Sequence, residues 1–286
     1  MAADPAPLRG YAALATAATL WGCWALFLRP AQLSGPAVSW LLFLVMALPA
    51  PWLARRPLVR DRRSRNALLL LGLCDAANAV LYFEAIRRGP LAVAVLTHYL
   101  CPLLVALVAP WFLGEPRSRR ALVAAPLALL GLGLVIYQPG MGFPLTTALL
   151  GGASAVFYAA NVIASKVSAQ AYSAVEVTSL HSVIALGVLT VVFRESALPP
   201  LESTALGYGI AGTLVCGLFA TVLFNLGVRK VPAHAASALT YLEPLTAAIV
   251  GAAFFADPFG PAAIVGTLLV LGGGAWVAME RAAVRG

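Results

Sequence analysis

Glu243 sits in an apolar run with no basic residue within a helical turn of it, immediately before Pro244. An acid in that setting has two uses: to neutralise a cation or to carry a proton. The stretch around it, "TYLEPLTA" (Thr240 to Ala247), nearly repeats "THYLCPLL" (Thr97 to Leu104). His98, Tyr99 and Pro102 thus stand where Thr240, Tyr241 and Pro244 stand in the second copy. A proline inside a helix has no N–H to donate and crowds the carbonyl four residues earlier. Pro102 should therefore release the His98 carbonyl, and Pro244 that of Thr240. In hydrocarbon such carbonyls are tolerated where helices pack or where they line a wet cavity. Both prolines are expected to kink their helices and to serve in gating, with the nearby polar side chains around a midplane cavity.

Other intramembrane polar residues complete the candidate binding set: Trp24, Asn78, Tyr82, Tyr158, Asn161 and Asn225. Glu84 precedes Arg87 and Arg88 by three and four residues, the spacing of a helical ion pair, and reads as a structural clamp. Asp75 lies three residues from Asn78 and is either satisfied there or functional. His98 is a hydrogen-bonded core histidine or a ligand contact.

Several chemistries are excluded. The two lysines, Lys166 and Lys230, do not follow glycine, so there is no P-loop and no ATP-driven step. No histidine precedes a glutamate, no G-x-S-x-G occurs, and no His/Cys spacing suits zinc. Enzymatic activity, a metal and a cofactor are not expected. The net charge of +8 lacks the basic patch with interleaved aromatics that a nucleic-acid partner requires. Cys23, Cys74, Cys101 and Cys216 fall in apolar runs and read as small core residues.

The elements that must position these groups are membrane helices. The chain is 61% hydrophobic and 10% charged, against about a quarter charged in a soluble domain. Apolar runs give ten expected spans: 10–28, 37–54, 67–87, 90–110, 120–137, 145–166, 174–193, 205–228, 231–255 and 259–280. The first is not read as a cleaved signal peptide, because it is one of many. With both termini inside, cytoplasmic segments hold 15 of the 19 Lys and Arg, and outside segments hold Arg29, Arg87, Arg88 and Arg194. Trp40, Trp52, Trp111 and Trp276 suit interfacial belts. Gly131, Gly133, Gly266, Gly272, Gly273 and Gly274 read as close-packing surfaces, and the chain is expected to be a monomer or weak dimer.

Residues 81–116 laid over 223–258 give twelve identities in 36 positions, including Arg87/Arg229, Pro90/Pro232 and Pro116/Pro258, with Glu115/Asp257 alike in charge. Shared apolar bias alone gives about four. The first helices of the halves align more weakly, Trp24 near Asn161 and Arg29 near Lys166. Each half (1–140 and 141–286) would hold five spans, so the halves are expected to be inverted repeats around a central cavity.

"LTYLEPLTAAIVGAAFFADP" (Leu239 to Pro258) and "HYLCPLLVALVAPWFLGEP" (His98 to Pro116) resemble the EamA branch of the drug/metabolite transporter superfamily, within it most of all bacterial YddG-type exporters of aromatic amino acids. The departure is Cys101, where an aromatic residue is usual. The resemblance implies ten helices, a basket with a central cavity, and export of amino acids across a bacterial inner membrane by a facilitator or a proton-linked exporter. For such a substrate, Glu243 and the released carbonyls would receive the ammonium, and Asn78, Tyr82, Asn161 or Asn225 would donate to the carboxylate. Tyrosines and Trp24 would face a variable side chain. Export of cationic drugs is the alternative, with Glu243 supplying charge and the aromatics cation–π contacts; an intramembrane enzyme or scaffold is a third.

Overall fold

The computed structural model describes residues 5–33, 35–53, 61–88, 91–136, 145–194, 203–255 and 260–278. Regular structure among them is helical throughout: α1 (Pro5–Gly22), α2 (Ala25–Ala31), α3 (Gly35–Ala47), α4 (Ala50–Leu53), α5 (Arg62–Arg88), α6 (Leu91–His98), α7 (Cys101–Leu113) and α8 (Arg119–Ile136). There follow α9 (Leu145–Ser168), α10 (Ala174–Phe193), α11 (Ser203–Gly212), a π-helical stretch (Thr213–Phe219), α12 (Ala220–Val228), α13 (Ala233–Leu239), α14 (Leu242–Phe255) and α15 (Pro261–Ala278). Arg55, Arg56, Arg60, Pro90, Asp257, Pro258, Arg281 and Arg285 lie outside the described residues, as do the side chain of Arg87 and the expected boundary at residue 140.

Among the described residues, six stretches have the length and hydropathy to cross a membrane: Leu8–Ala31, Pro36–Leu53, Leu145–Ser168, Ala174–Phe193, Thr204–Val228 and Ala233–Phe255. The surface carries the same signal. Leu69, Leu73, Val123, Leu127, Leu130, Ile264, Val265 and Leu268 are exposed, a coat that water penalises by about 25 cal/mol per Å² and lipid does not. The chain is a multi-pass membrane protein.

Some expected spans are interrupted. The first, read as continuous over 10–28, breaks at Cys23–Trp24, where the Trp24 N–H reaches the Trp21 carbonyl at 3.2 Å in a tightened turn. Gly22 permits this: a Cβ there would stand 2.5 Å from the Glu243 carbonyl oxygen. The second breaks at Leu48–Pro49, where Pro49 and Pro51 remove two donors in succession. The run over 205–228 widens into the π-helical stretch around Cys216, a distortion that often accompanies functional sites.

In the packing, α5 lies along α9, α8 along α15, α1 along α12, and α3 along α10. Close approaches rest on glycine. A Cβ at Gly72 would stand 2.7 Å from the His181 carbonyl oxygen, and one at Gly131 would stand 2.6 Å from that of Gly266. Gly133 and Gly272, also expected to pack, face open space instead. One core gathers Leu14, Cys101, Val105, Val162, Phe224 and Val228; a second gathers Val95, Tyr99, Leu132, Tyr241, Leu245 and Val270. Cys74, Cys101 and Cys216 are buried as read, whereas Cys23 is only partly so.

One end of the bundle collects the charges. Asp61 caps α5, accepting the Ser64 N–H at 2.9 Å, and that bond holds its carboxyl below the usual range. Arg63 donates to the Phe112 carbonyl at 3.0 Å. Lys166 pairs with Glu115 at 2.5 Å and also donates to the Val231 carbonyl, while Glu115 accepts the Ala233 N–H at 2.8 Å. This clamp ties the end of α9 to the loop after α7 and to the start of α13. At the other end Glu84 pairs with Arg88, one of its two expected partners.

Candidate functional site

The prolines act where the sequence places them. Helix α6 stops at His98 and α7 resumes at Cys101; α13 stops at Leu239 and α14 resumes at Leu242. The released carbonyls differ from expectation. That of Thr240 accepts the Glu243 N–H at 3.0 Å, and Thr240 itself is buried, its hydroxyl donating to the Ser237 carbonyl at 2.7 Å. That of His98 receives no hydrogen bond among the described residues.

The two breaks touch. The Tyr99 and Tyr241 rings lie 6.0 Å apart, and the Tyr241 hydroxyl, 3.1 Å from the Tyr99 carbonyl oxygen and 3.3 Å from that of Ala125, donates into this pair. Tyr241, expected to face a substrate, is a buried tie between α8 and the two breaks. Asn225 and Asn161 are committed in the same way. Asn225 is 1% exposed and donates to the Thr178 hydroxyl at 3.0 Å; Asn161 donates to Asp75 at 2.8 Å. Asn78 is half-buried on α5, its amide oxygen without a partner in the protein. Trp24 lies in the break of α1, against α11 at Gly212.

The remaining candidates form one cluster. His98 is stacked between Tyr82 (centroids 4.1 Å apart) and Tyr158 (5.0 Å), with Tyr99 edge-on at 5.2 Å. Its Nδ1 lies 2.7 Å from the Ser154 hydroxyl, which also reaches the Gly151 carbonyl at 2.9 Å. Ser154 has one proton; given to Gly151, it makes Nδ1 the donor and leaves Nε2 as an acceptor. Ser154 was not singled out in the sequence, where a serine four residues before Tyr158 carries no signal.

Glu243 lies in the first turn of α14, partly exposed, facing Tyr82, Tyr99 and Tyr158. The Tyr99 hydroxyl is buried beside this carboxylate, the group it faces, without a hydrogen bond of ordinary geometry. Among the described residues no basic side chain pairs with Glu243. An acid near the membrane centre costs about 2.5–3.5 kcal/mol on insertion scales, and a helix N-terminus returns about 0.3–1 kcal/mol. Stability alone gives no reason for Glu243 to be there. Cys216, in the π-helical stretch, lies between this carboxylate and Cys23 at the α1 break.

A second polar cluster lies between α5, α9 and α10. Asp75 bonds across helices rather than to Asn78: Oδ1 accepts from Asn161, and Oδ2 lies 3.1 Å from His181 Nε2. The other imidazole nitrogen, Nδ1, is 2.6 Å from the Val177 carbonyl oxygen. His181 was missed in the sequence, although a titratable residue inside the apolar run 174–193 was the available signal. No group of three or more His, Cys, Asp or Glu among the described residues suits a metal ion.

The chain matches the model of the EamA-like transporter family twice, over residues 8–137 and 145–279. It belongs to that family. It is 27% identical over 266 residues to an uncharacterised transporter of Archaeoglobus fulgidus, covering 92% of this chain and 94% of that one. It is 32% identical over 211 residues to the aromatic amino acid exporter YddG of Ancylobacter novellus, covering 69% and 70%. The uncharacterised transporter YwfM of Bacillus subtilis is 24% identical over 230 residues. A solved protein crystal structure superposes with a TM-score of 0.75 at 22% identity, covering 98% of this chain and 99% of the other, and thus shares its fold.

Proposed function

We propose that the protein exports aromatic and other neutral amino acids across a bacterial inner membrane by alternating access around the Glu243 cluster. The observation that carries this reading is the unpaired carboxylate at the α14 break, facing three tyrosines whose rings bracket His98. An ammonium group fits Glu243, with the open His98 carbonyl as a second acceptor. Hydroxyl donors fit the substrate carboxylate, and the ring faces suit an aromatic side chain. Likeness to an aromatic amino acid exporter over two thirds of the chain supports the same choice.

The architecture we infer is ten spans in two inverted halves. Grouping the helices across their breaks gives ten: α1–α2, α3–α4, α5, α6–α7, α8, α9, α10, α11–α12, α13–α14 and α15. Exchanging the halves carries the α1·α12 packing onto α9·α5 and returns α3·α10 and α8·α15 to themselves, as an inverted repeat requires. The basic end, with Arg63, Lys166 and Lys230, is assigned to the cytoplasm, and both termini with it. There the Lys166–Glu115 ion pair joins the end of α9 to the loop after α7.

Uptake and counterflow of labelled phenylalanine, tryptophan and alanine into proteoliposomes of the purified protein test this reading. Saturable counterflow that Glu243→Gln abolishes is the expected result. Absence of flux for every amino acid overturns it. The same uncompensated carboxylate between aromatic rings suits a quaternary ammonium drug. Competition by such a compound, with none among amino acids, would replace the substrate and keep the site.

A further inference from the structure

We propose that Asp75 and His181 form an intramembrane proton-binding site, holding one proton per chain and separate from the Glu243 cluster. The argument is a count of donors. A backbone carbonyl only accepts, so at 2.6 Å from the Val177 oxygen His181 Nδ1 must carry a hydrogen. Its other nitrogen, Nε2, lies 3.1 Å from Asp75 Oδ2. A neutral imidazole protonated at Nδ1 would set a bare lone pair against an ionised carboxylate there, two acceptors face to face. One further proton removes the conflict, held either as imidazolium with carboxylate or as imidazole with carboxylic acid. In both forms the pair is neutral overall, which the interior tolerates far better than a lone charge.

The surroundings make that proton exchangeable. His181 exposes 3% of its side chain and Asp75 25%, so the carboxylate is the entrance and the imidazole the store. Asn161 fixes Oδ1 through its amide nitrogen, and its own amide oxygen, buried, has no partner. The amide is therefore free to turn and accept from a protonated Asp75 without losing a second bond. The titratable groups facing the pair are Cys74 beside it on α5 and Tyr158 from α9. From α3 the Phe43 ring meets His181 edge-on at 6.3 Å. Towards α12, Thr178 and Asn225 bind each other. On α10 itself Glu176 is held in a capping box with Ser173, and on α9 Lys166 is held by Glu115. Within α6, His98 is committed to Ser154. Among the described residues no fixed cation pairs with Asp75 in place of the proton.

Tyr158 faces both Asp75 and Glu243. A proton taken from water by Asp75 Oδ2, passed to His181 Nε2, and handed back through Asp75 once alternating access has turned that carboxylate to the opposite side leaves both residues unchanged after a cycle. Coupling of that cycle to export rests on the transporter reading above. It assigns proton coupling to this pair and leaves Glu243 as the substrate's counter-charge.

Two measurements test the site. The first is an imidazole ¹⁵N titration of the full chain in lipid nanodiscs, with His181 assigned by H181Q and the acid C=O stretch of Asp75 assigned by D75N in infrared spectra. A jointly held proton, whose His181 signature changes in D75N, is expected. A singly protonated His181 beside an ionised Asp75 across the whole pH range of the folded protein overturns the site. The second compares counterflow at equal pH with accumulation driven by a pH gradient. For both D75N and H181Q, the ratio of driven to undriven flux should fall to its value without a gradient, whereas E243Q should lower both fluxes together. Wild-type counterflow that ignores the gradient overturns the coupling role while leaving export intact. No flux of any amino acid overturns export, and the spectra still decide the proton site.

Discussion

At the first helix break, His98 fills the space between the Tyr82 and Tyr158 rings; at the second, Thr240 holds that place, and Trp21 and Phe224 close directly on each other at 5.3 Å. These are corresponding positions. The 142-residue offset carries Tyr82 to Phe224, His98 to Thr240 and Cys101 to Glu243, and the weaker register of the first helices carries Trp21 to Tyr158. The break itself is common to both copies, because proline and Tyr-Leu recur. Chemistry is divided between them: the first break gathers the imidazole between Tyr82 of its own half and Tyr158 of the other, and the carboxylate stands at the second. Both sets face the same space, so the candidate site is composite and neither half alone possesses it.

The strongest way to break this comparison is at its charged end. Glu243→Gln should reduce counterflow at least about tenfold, equivalent to about 1.4 kcal/mol, with the fold retained by thermal unfolding in detergent. Equal flux in the variant would make the carboxylate incidental. Next comes the wedge that lets α1 reach the second break. Gly22→Ala puts a methyl 2.5 Å from the Glu243 carbonyl oxygen and should cost about 1–3 kcal/mol of stability as overpacking, visible as a lower unfolding temperature. A variant as stable as the parent would mean the α1 break is not fixed by this contact.

The paired tyrosines sharpen the comparison. Tyr241→Phe removes the donor shared by the Tyr99 and Ala125 carbonyls and should cost about 1 kcal/mol. Tyr99→Phe removes a buried hydroxyl without a partner and should cost less than about 0.5 kcal/mol while altering flux. Reversal of that order would exchange the structural and functional roles. The smallest effect belongs to Cys101→Ala, at the position equivalent to Glu243. It deletes one buried sulfur, costs on the order of 1 kcal/mol, and should leave counterflow close to that of the parent. A large loss of flux would show that the first break also carries chemistry.

Membrane class, helix positions and the proline breaks were legible because each rests on local chain properties: hydropathy over a span, and an N–H that proline lacks. The duplication was legible because recurring residues keep their spacing. Tyr241, Asn161 and Asn225 had the same polar character as Tyr82 and Tyr158, and the sequence offered no means of dividing them. Packing divides them, since a side chain becomes a tie when a neighbouring helix brings it a partner. Gly72 allows α5 to approach α10 closely, and Asp75 then meets His181 from 106 residues away rather than Asn78 on its own helix.

The sequence by itself determined that this chain spans a membrane repeatedly, belongs to helices broken at Pro102 and Pro244, and holds an acid at position 243 without a local counter-ion. Only the tertiary structure decided which polar groups face one another: the His98 stack, the Asp75–His181 pair and the Lys166–Glu115 clamp. Helix formation depends on residues within a turn or two, whereas hydrogen bonds and ion pairs between helices depend on register, close approach and rotation, which are properties of the packed whole.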